Sequence, residues 1–208
     1  MSERKGFLSK VVVLGAGVVV VTAIVLTSVA GSMAAKVLVD NGDGTVTDTG
    51  TGLMWEMKTG TYSGTGAIFC TNPADCQAPT NVNNIYSWSS SGTAPDGTLF
   101  TDFLPKLNCS VLHGAGTCGT SNASTGRFTR YRDWRIPTIA ELRTLQTQQG
   151  IDPTFGPSAL SLYWSSTSQA TVPTLAWFVS FLVCPTPCDV VAPTKTDYAY
   201  ARAVRGGT

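Results

Sequence analysis

The sequence predicts an α+β domain that closes in β-structure, exported behind an N-terminal apolar segment. Three observations carry that prediction: a charge-free run from Val11 to Val29 behind Arg4, Lys5 and Lys10, dense turn chemistry between short apolar stretches, and a well-marked helix start at Pro137-Thr138. Charged residues make up only 13% of the chain, and 14 Lys+Arg stand against 13 Asp+Glu. So balanced a chain has no long-range field for a polyanion such as DNA or RNA, and nucleic acid is not the expected partner. With His113 as the one histidine, sites built from two or more histidines are ruled out.

Residues 1–35 read as a signal peptide or membrane anchor, and 36–208 as the exported domain. Ser32-Met33-Ala34 offers small residues for cleavage after Ala34. The apolar run is also long enough to span a bilayer with its basic end in the cytoplasm, which is the one expected route to a membrane. Lys5-Gly6-Phe7 resembles a prepilin processing site, but Val11 stands where those pilins carry glutamate.

Asp40-Asn41-Gly42-Asp43-Gly44 and Asp48-Thr49-Gly50-Thr51-Gly52 are turn sequences flanking Thr45-Val46-Thr47 and Leu53-Met54-Trp55, which predicts a β-hairpin. A calcium loop is the competing reading of Asp40, Asn41, Asp43 and Asp48, but the acidic twelfth ligand of an EF-hand is lacking. From Thr59 to Thr98 the chain is Gly, Ser, Thr, Asn and Pro with scattered aromatics, a predicted long loop region in which Tyr62, Tyr86 and Trp88 could stack on a sugar or pin the loop. Phe100, Phe103, Leu104 and Leu107 follow helical spacing, with Pro105 required to lie in the first turn. At the second helix, Thr138 and Glu141 form a capping box, and Ile139, Leu142 and Leu145 face inward. Tyr163-Trp164-Ser165-Ser166, Ala176 to Phe181 and Tyr198 to Val204 read as strands.

Six cysteines in an exported chain read as disulfides. Each neighbouring pair closes a short loop, so Cys70–Cys76, Cys109–Cys118 and Cys184–Cys188 are the expected bridges. Zinc would need four ligands at metal spacing, and only Cys184 and Cys188 come near it, so no metal or other cofactor is expected.

Asp40 to Asp48, Thr51-Gly52-Leu53-Met54-Trp55, Asp133-Trp134-Arg135-Ile136-Pro137-Thr138 with Glu141-Leu142, Tyr163-Trp164-Ser165-Ser166 and Val204-Arg205-Gly206 together resemble the DUF1566 family, the Lcl C-terminal domain, over residues 40 to 206. The resemblance implies a C-type-lectin-like fold, with two helices on a twisted mixed sheet and long loops, on a bacterial surface or secreted protein. Its named member is an adhesin that binds sulfated polysaccharides, which implies a glycan or other extracellular polymer as partner. Ala203 stands where members often carry a cysteine near the end, and the calcium-dependent sugar motifs of true C-type lectins are absent. The Asp133 to Thr138 run also resembles formylglycine-generating enzymes, though their cysteine pair has no counterpart.

Fold does not fix function, so the site is argued from residues. Arg127-Phe128-Thr129-Arg130-Tyr131-Arg132-Asp133-Trp134-Arg135 gathers four cations within nine residues. Arginine forks suit sulfate and carboxylate. Arg127, Arg130, Tyr131 and Arg132, with Tyr86 and Trp88, are the candidate ligand residues; Trp55, Trp134, Trp164, Thr138 and Glu141 are structural, as is Arg135, expected to pair with Asp133 or Glu141. A hydrolytic triad would need His113, which has no Gly-x-Ser-x-Gly elbow to serve, so no enzymatic activity is expected. The expectation is an exported glycan-binding module, able to form homo-oligomers, with a subunit of a surface filament or pilus and a formylglycine-type enzyme as alternatives.

Overall fold

The computed structural model describes residues 37–72, 75–76, 78–108, 131–147, 150–182 and 193–206. The expected signal or anchor segment, Arg127, Arg130 and the cysteines 109, 118, 184 and 188 lie outside them. The described residues fall within one unit, Ala35–Thr208.

The chain starts with the predicted hairpin. Strands β1 (Leu38–Asp40), β2 (Thr45–Asp48) and β3 (Leu53–Glu56) pair antiparallel, with Val46 opposite Trp55. The acidic side chains make the turns: the carboxylate of Asp40 accepts from the Gly42 amide, that of Asp43 from the Thr45 amide, and that of Asp48 from the amides of Gly50 and Thr51. Gly52, at φ 71°, completes the second turn where a side chain would be strained. These bonds are the turn role, and among the described residues no group of three or more His, Cys, Asp or Glu is placed to hold a metal.

The predicted loop region is corrected in part. It contains β4 (Ile68–Phe69) and β5 (Asn84–Ser87), the latter buried at every position. Asn84-Ile85-Tyr86-Ser87 has no apolar alternation because it is covered on both faces and paired on both edges, by β4 and by β10 (Tyr198–Tyr200). With β8 (Leu162–Ser168) and β9 (Ala176–Ser180) these form a mixed five-stranded sheet in the order β4-β5-β10-β8-β9. Directly after β10 comes β11 (Val204–Arg205), which joins β3, so residues 198–205 link the five-stranded sheet to the four-stranded sheet β1-β2-β3-β11. A small pair, β6 (Gln146–Thr147) and β7 (Gly150–Ile151), stands apart.

The first helix opens as a π-helical turn, Leu99–Phe103, and runs into α1 (Leu104–Leu107), with Pro105 in the first turn of α1. The second, α2 (Ile139–Arg143), has the capping box: the Glu141 amide donates to the Thr138 hydroxyl at 3.3 Å, and the Thr138 amide to the Glu141 carboxylate at 2.8 Å. No helix among the described residues is long and apolar enough to cross a membrane.

Two cores flank the five-stranded sheet. On one face Tyr86, Trp88 and Trp164 meet Leu99, Phe103, Leu107 and Trp134. On the other Tyr163, Val179 and Tyr200 meet Leu142, Phe155 and the inner residues Val46, Trp55 and Val204 of the four-stranded sheet. The mixed α+β character follows, with sheets predominating.

Candidate functional site

The basic segment ends as an extra rung on the four-stranded sheet. Arg135 and Val204 exchange both backbone hydrogen bonds at 2.9 Å, an isolated bridge that lays Arg135 beside β11. Trp134 before it is buried, whereas Asp133 and Arg135 are not. Asn108 fixes Trp134 from the end of α1, accepting from its amide at 2.7 Å and donating to its carbonyl at 2.8 Å.

Two arginine–carboxylate pairs stand at this edge, Arg135 on the side of its register partner Val204 and Arg205 on the opposite side with Met54. Arg135 donates to both oxygens of Glu141, at 2.8 and 2.6 Å, and to the Gly206 carbonyl. These bonds hold the Glu141 carboxyl down to about 2, the Arg135 hydrogen bond being the largest cause. Arg205 donates to both oxygens of Asp133, at 2.7 and 3.0 Å, and keeps that carboxyl below its ordinary value. The Arg205 guanidinium lies 4.1 Å from the centre of the Tyr131 ring, which is itself edge-on to Trp134. Arg132, next to Tyr131 in the chain, is exposed. The structure thus brings Arg205 to Tyr131 and Asp133, while Arg135 is committed to Glu141. The signal for Arg205 was its alternation with the inward Val204 in the terminal strand.

Tyr86 and Trp88 do not offer ring faces to solvent. Tyr86 is 0% exposed, and burial raises its hydroxyl well above the ordinary tyrosine value. Trp88 is 4% exposed, edge-on to Phe100 at 5.0 Å on one side and covered by the Lys195 ammonium at 3.9 Å on another. Its indole N–H donates to the Ser165 carbonyl at 3.0 Å, while that of Trp164 donates to the Tyr86 carbonyl at 2.8 Å. These bonds tie β5 to β8 past the small Ala199 of β10, so both side chains are pillars of the core and the proposed loop contacts are withdrawn. Trp55, Trp134 and Trp164 are buried as well. Cys70 and Cys76 form a disulfide with both cysteines buried.

Sequence reasoning missed a buried polar cluster. Arg202, fully buried, donates to the carbonyls of Glu56 and Phe155 at 2.6 and 3.0 Å and to the Ser158 hydroxyl at 2.9 Å. Glu56 accepts from the Ala203 amide and pairs with Lys58 at 2.7 Å. Burial, outweighing the Glu56 charge, lowers the Lys58 ammonium to about 8. The cluster fastens the last link between the two sheets; it has no open path to a ligand, since its charged side chains are all nearly inaccessible.

Residues 44–205 match the model of the Lcl C-terminal domain, which is more than half of the chain, and the chain belongs to that family. No curated protein matches it.

Proposed function

We propose that this member of the Lcl C-terminal domain family is an exported bacterial binding module, secreted or held at the cell surface, that takes an anionic polysaccharide at the β11 edge without a bridging metal. The observation that supports it most is the arrangement of Arg205 across Tyr131, with exposed Arg132 next to Tyr131 in the chain. A guanidinium fork matches sulfate or carboxylate, and the ring beneath it holds the fork at a fixed height. Arg205 is bound to a carboxylate that is itself 57% exposed, so an incoming anion can take the place of Asp133.

Binding of the full-length chain to immobilised heparin, read as a function of salt, tests this. Affinity should fall steeply as salt rises, because exposed pairs are screened over about 8 Å at physiological ionic strength. Replacing Arg132 and Arg205 together with Ser should weaken binding roughly tenfold or more, while Asp133→Asn should strengthen it by freeing the fork. Unchanged affinity in the double variant would overturn the assignment.

A further inference from the structure

We propose a second ligand site on the open flank of the five-stranded sheet, where Phe69, Tyr198 and Tyr62 form a platform for the apolar face of an uncharged sugar ring. It shares with the arginine edge only the expectation of a glycan ligand, and none of its residues.

Phe69 is 55% exposed although the chain on either side of it is anchored. The Ile68 amide donates to Asn83 at 2.8 Å, the Cys70 amide donates to Ile85 at 3.0 Å, and fully buried Cys70 is joined to Cys76. Phe69 therefore presents its ring from a fixed backbone. Register places it in one row with Ile85 and Tyr200, and Tyr198 lies two residues from Tyr200 on the same face. The rings form two edge-on pairs, Phe69 with Tyr198, centres 5.2 Å apart at 63°, and Tyr62 with Tyr200, 6.3 Å apart at 75°. Tyr62 and Tyr198 are half-buried, each against a neighbouring ring.

The surroundings select the ligand. Residues 59 to 72 contain no charged side chain; Thr61 and Ser63 supply hydroxyls to the rim, and Thr71 and Asn72 are bonded there to the exposed carboxylate of Asp75. Asn83 stiffens that rim by accepting from the Ser63 amide and donating to the Thr61 carbonyl. An anion meets the Asp75 carboxylate here and no cation among residues 59 to 72, in contrast to the arginine edge. A protein partner finds too little area: a stable interface needs roughly 800 Å² from each side, whereas a whole aromatic side chain buries about 150–250 Å² and two of these three rings are already half-covered. One or two uncharged sugar rings stacked on the aromatics, with their hydroxyls toward the polar rim and its carboxylate, fit both the size and the charge.

The test is calorimetric titration of the full-length chain with uncharged oligosaccharides, β-linked glucose and N-acetylglucosamine oligomers, at low salt and at about 1 M salt. Binding to at least one of them should be nearly independent of salt, should weaken at least tenfold in Phe69→Ala, and should be retained in Phe69→Trp and in the Arg132/Arg205 double variant. Circular dichroism of Phe69→Ala should show the native fold, as its exposure requires. No uncharged oligosaccharide bound, affinity unchanged in Phe69→Ala, or affinity lost with salt would each overturn the platform. So would a Phe69→Ala variant that alters sedimentation, since the patch would then join copies of the chain. Loss of heparin binding with neutral binding intact concerns the arginine edge alone.

Discussion

Replacing Glu141 with Gln should destabilise the domain at neutral pH and not at acid pH. The carboxylate accepts four hydrogen bonds, two from Arg135 and one each from the Thr138 amide and hydroxyl, and its pKa falls from an ordinary 4.5 to about 2. At 1.36 kcal/mol per pH unit such a depression corresponds to about 3 kcal/mol if wholly realised in folding. The side chains of Arg135 and Glu141 are 38% and 21% exposed, so solvent screening reduces this to about 1–2 kcal/mol. A carboxylate whose folded value is depressed stabilises above its unfolded value, and that contribution disappears as pH falls through 4.5 towards 2. Glutamine keeps the shape and loses the charge. Urea unfolding at pH 7 should therefore show the variant weaker by about 1–2 kcal/mol, with a gap that narrows steadily down to about pH 3. A gap of the same size at pH 7 and pH 3 would refute the reasoning, because the loss would then come from packing and not from the charge.

The buried amine responds in the opposite range. Lys58 gives up its proton near 8 in the folded chain and near 10.5 in the unfolded one, so unfolding takes up a proton between those values and stability from this group rises with pH across them. Lys58→Met should remove that slope, and parallel pH profiles of the two proteins in urea unfolding from pH 8 to 10 would show that the amine is not desolvated. Trp88→Ala should cost about 3–5 kcal/mol in the same assay through loss of core packing. A loss below about 1 kcal/mol accompanied by weaker glycan binding would return Trp88 to the ligand surface.

What was legible in the sequence is what local chemistry decides. Asp40, Asp43 and Asp48 bond to amides two or three residues on, and Thr138 and Glu141 cap one turn, so residue type and spacing were sufficient. Burial of polar residues is decided by partners far along the chain. Glu56 and Arg202 lie 146 residues apart, and neither has a neighbour in sequence that marks it as interior. Strand β5 was read as loop for the same reason: its Asn84 and Ser87 are buried, with Asn84 donating to the Ala78 carbonyl and the Tyr86 hydroxyl, and Ser87 bonded to Thr98. Misplacing β5 also misplaced Tyr86 and Trp88, since an aromatic in a loop is free to face solvent and one in a doubly covered strand is not. Part of the basic cluster was legible as a charge run, but its completion by Arg205 depends on β11 returning to β3.

The two arginine pairs at that edge have different work because their carboxylates are held differently. Glu141 is fixed from both sides, by the Arg135 fork and by the backbone it caps, so removing it from Arg135 would also open the start of α2. Asp133 belongs to no cap, its carboxylate faces water, and the bonds that hold it come from Arg205. An external sulfate or carboxylate offers Arg205 the same two acceptor oxygens, while Tyr131 keeps the guanidinium in place during the exchange. Exchange at Arg205 thus leaves the fold intact, whereas exchange at Arg135 would not. The proposed ligand site therefore rests on Arg205 and not on Arg135, and the exposure of the paired acid is what distinguishes the two.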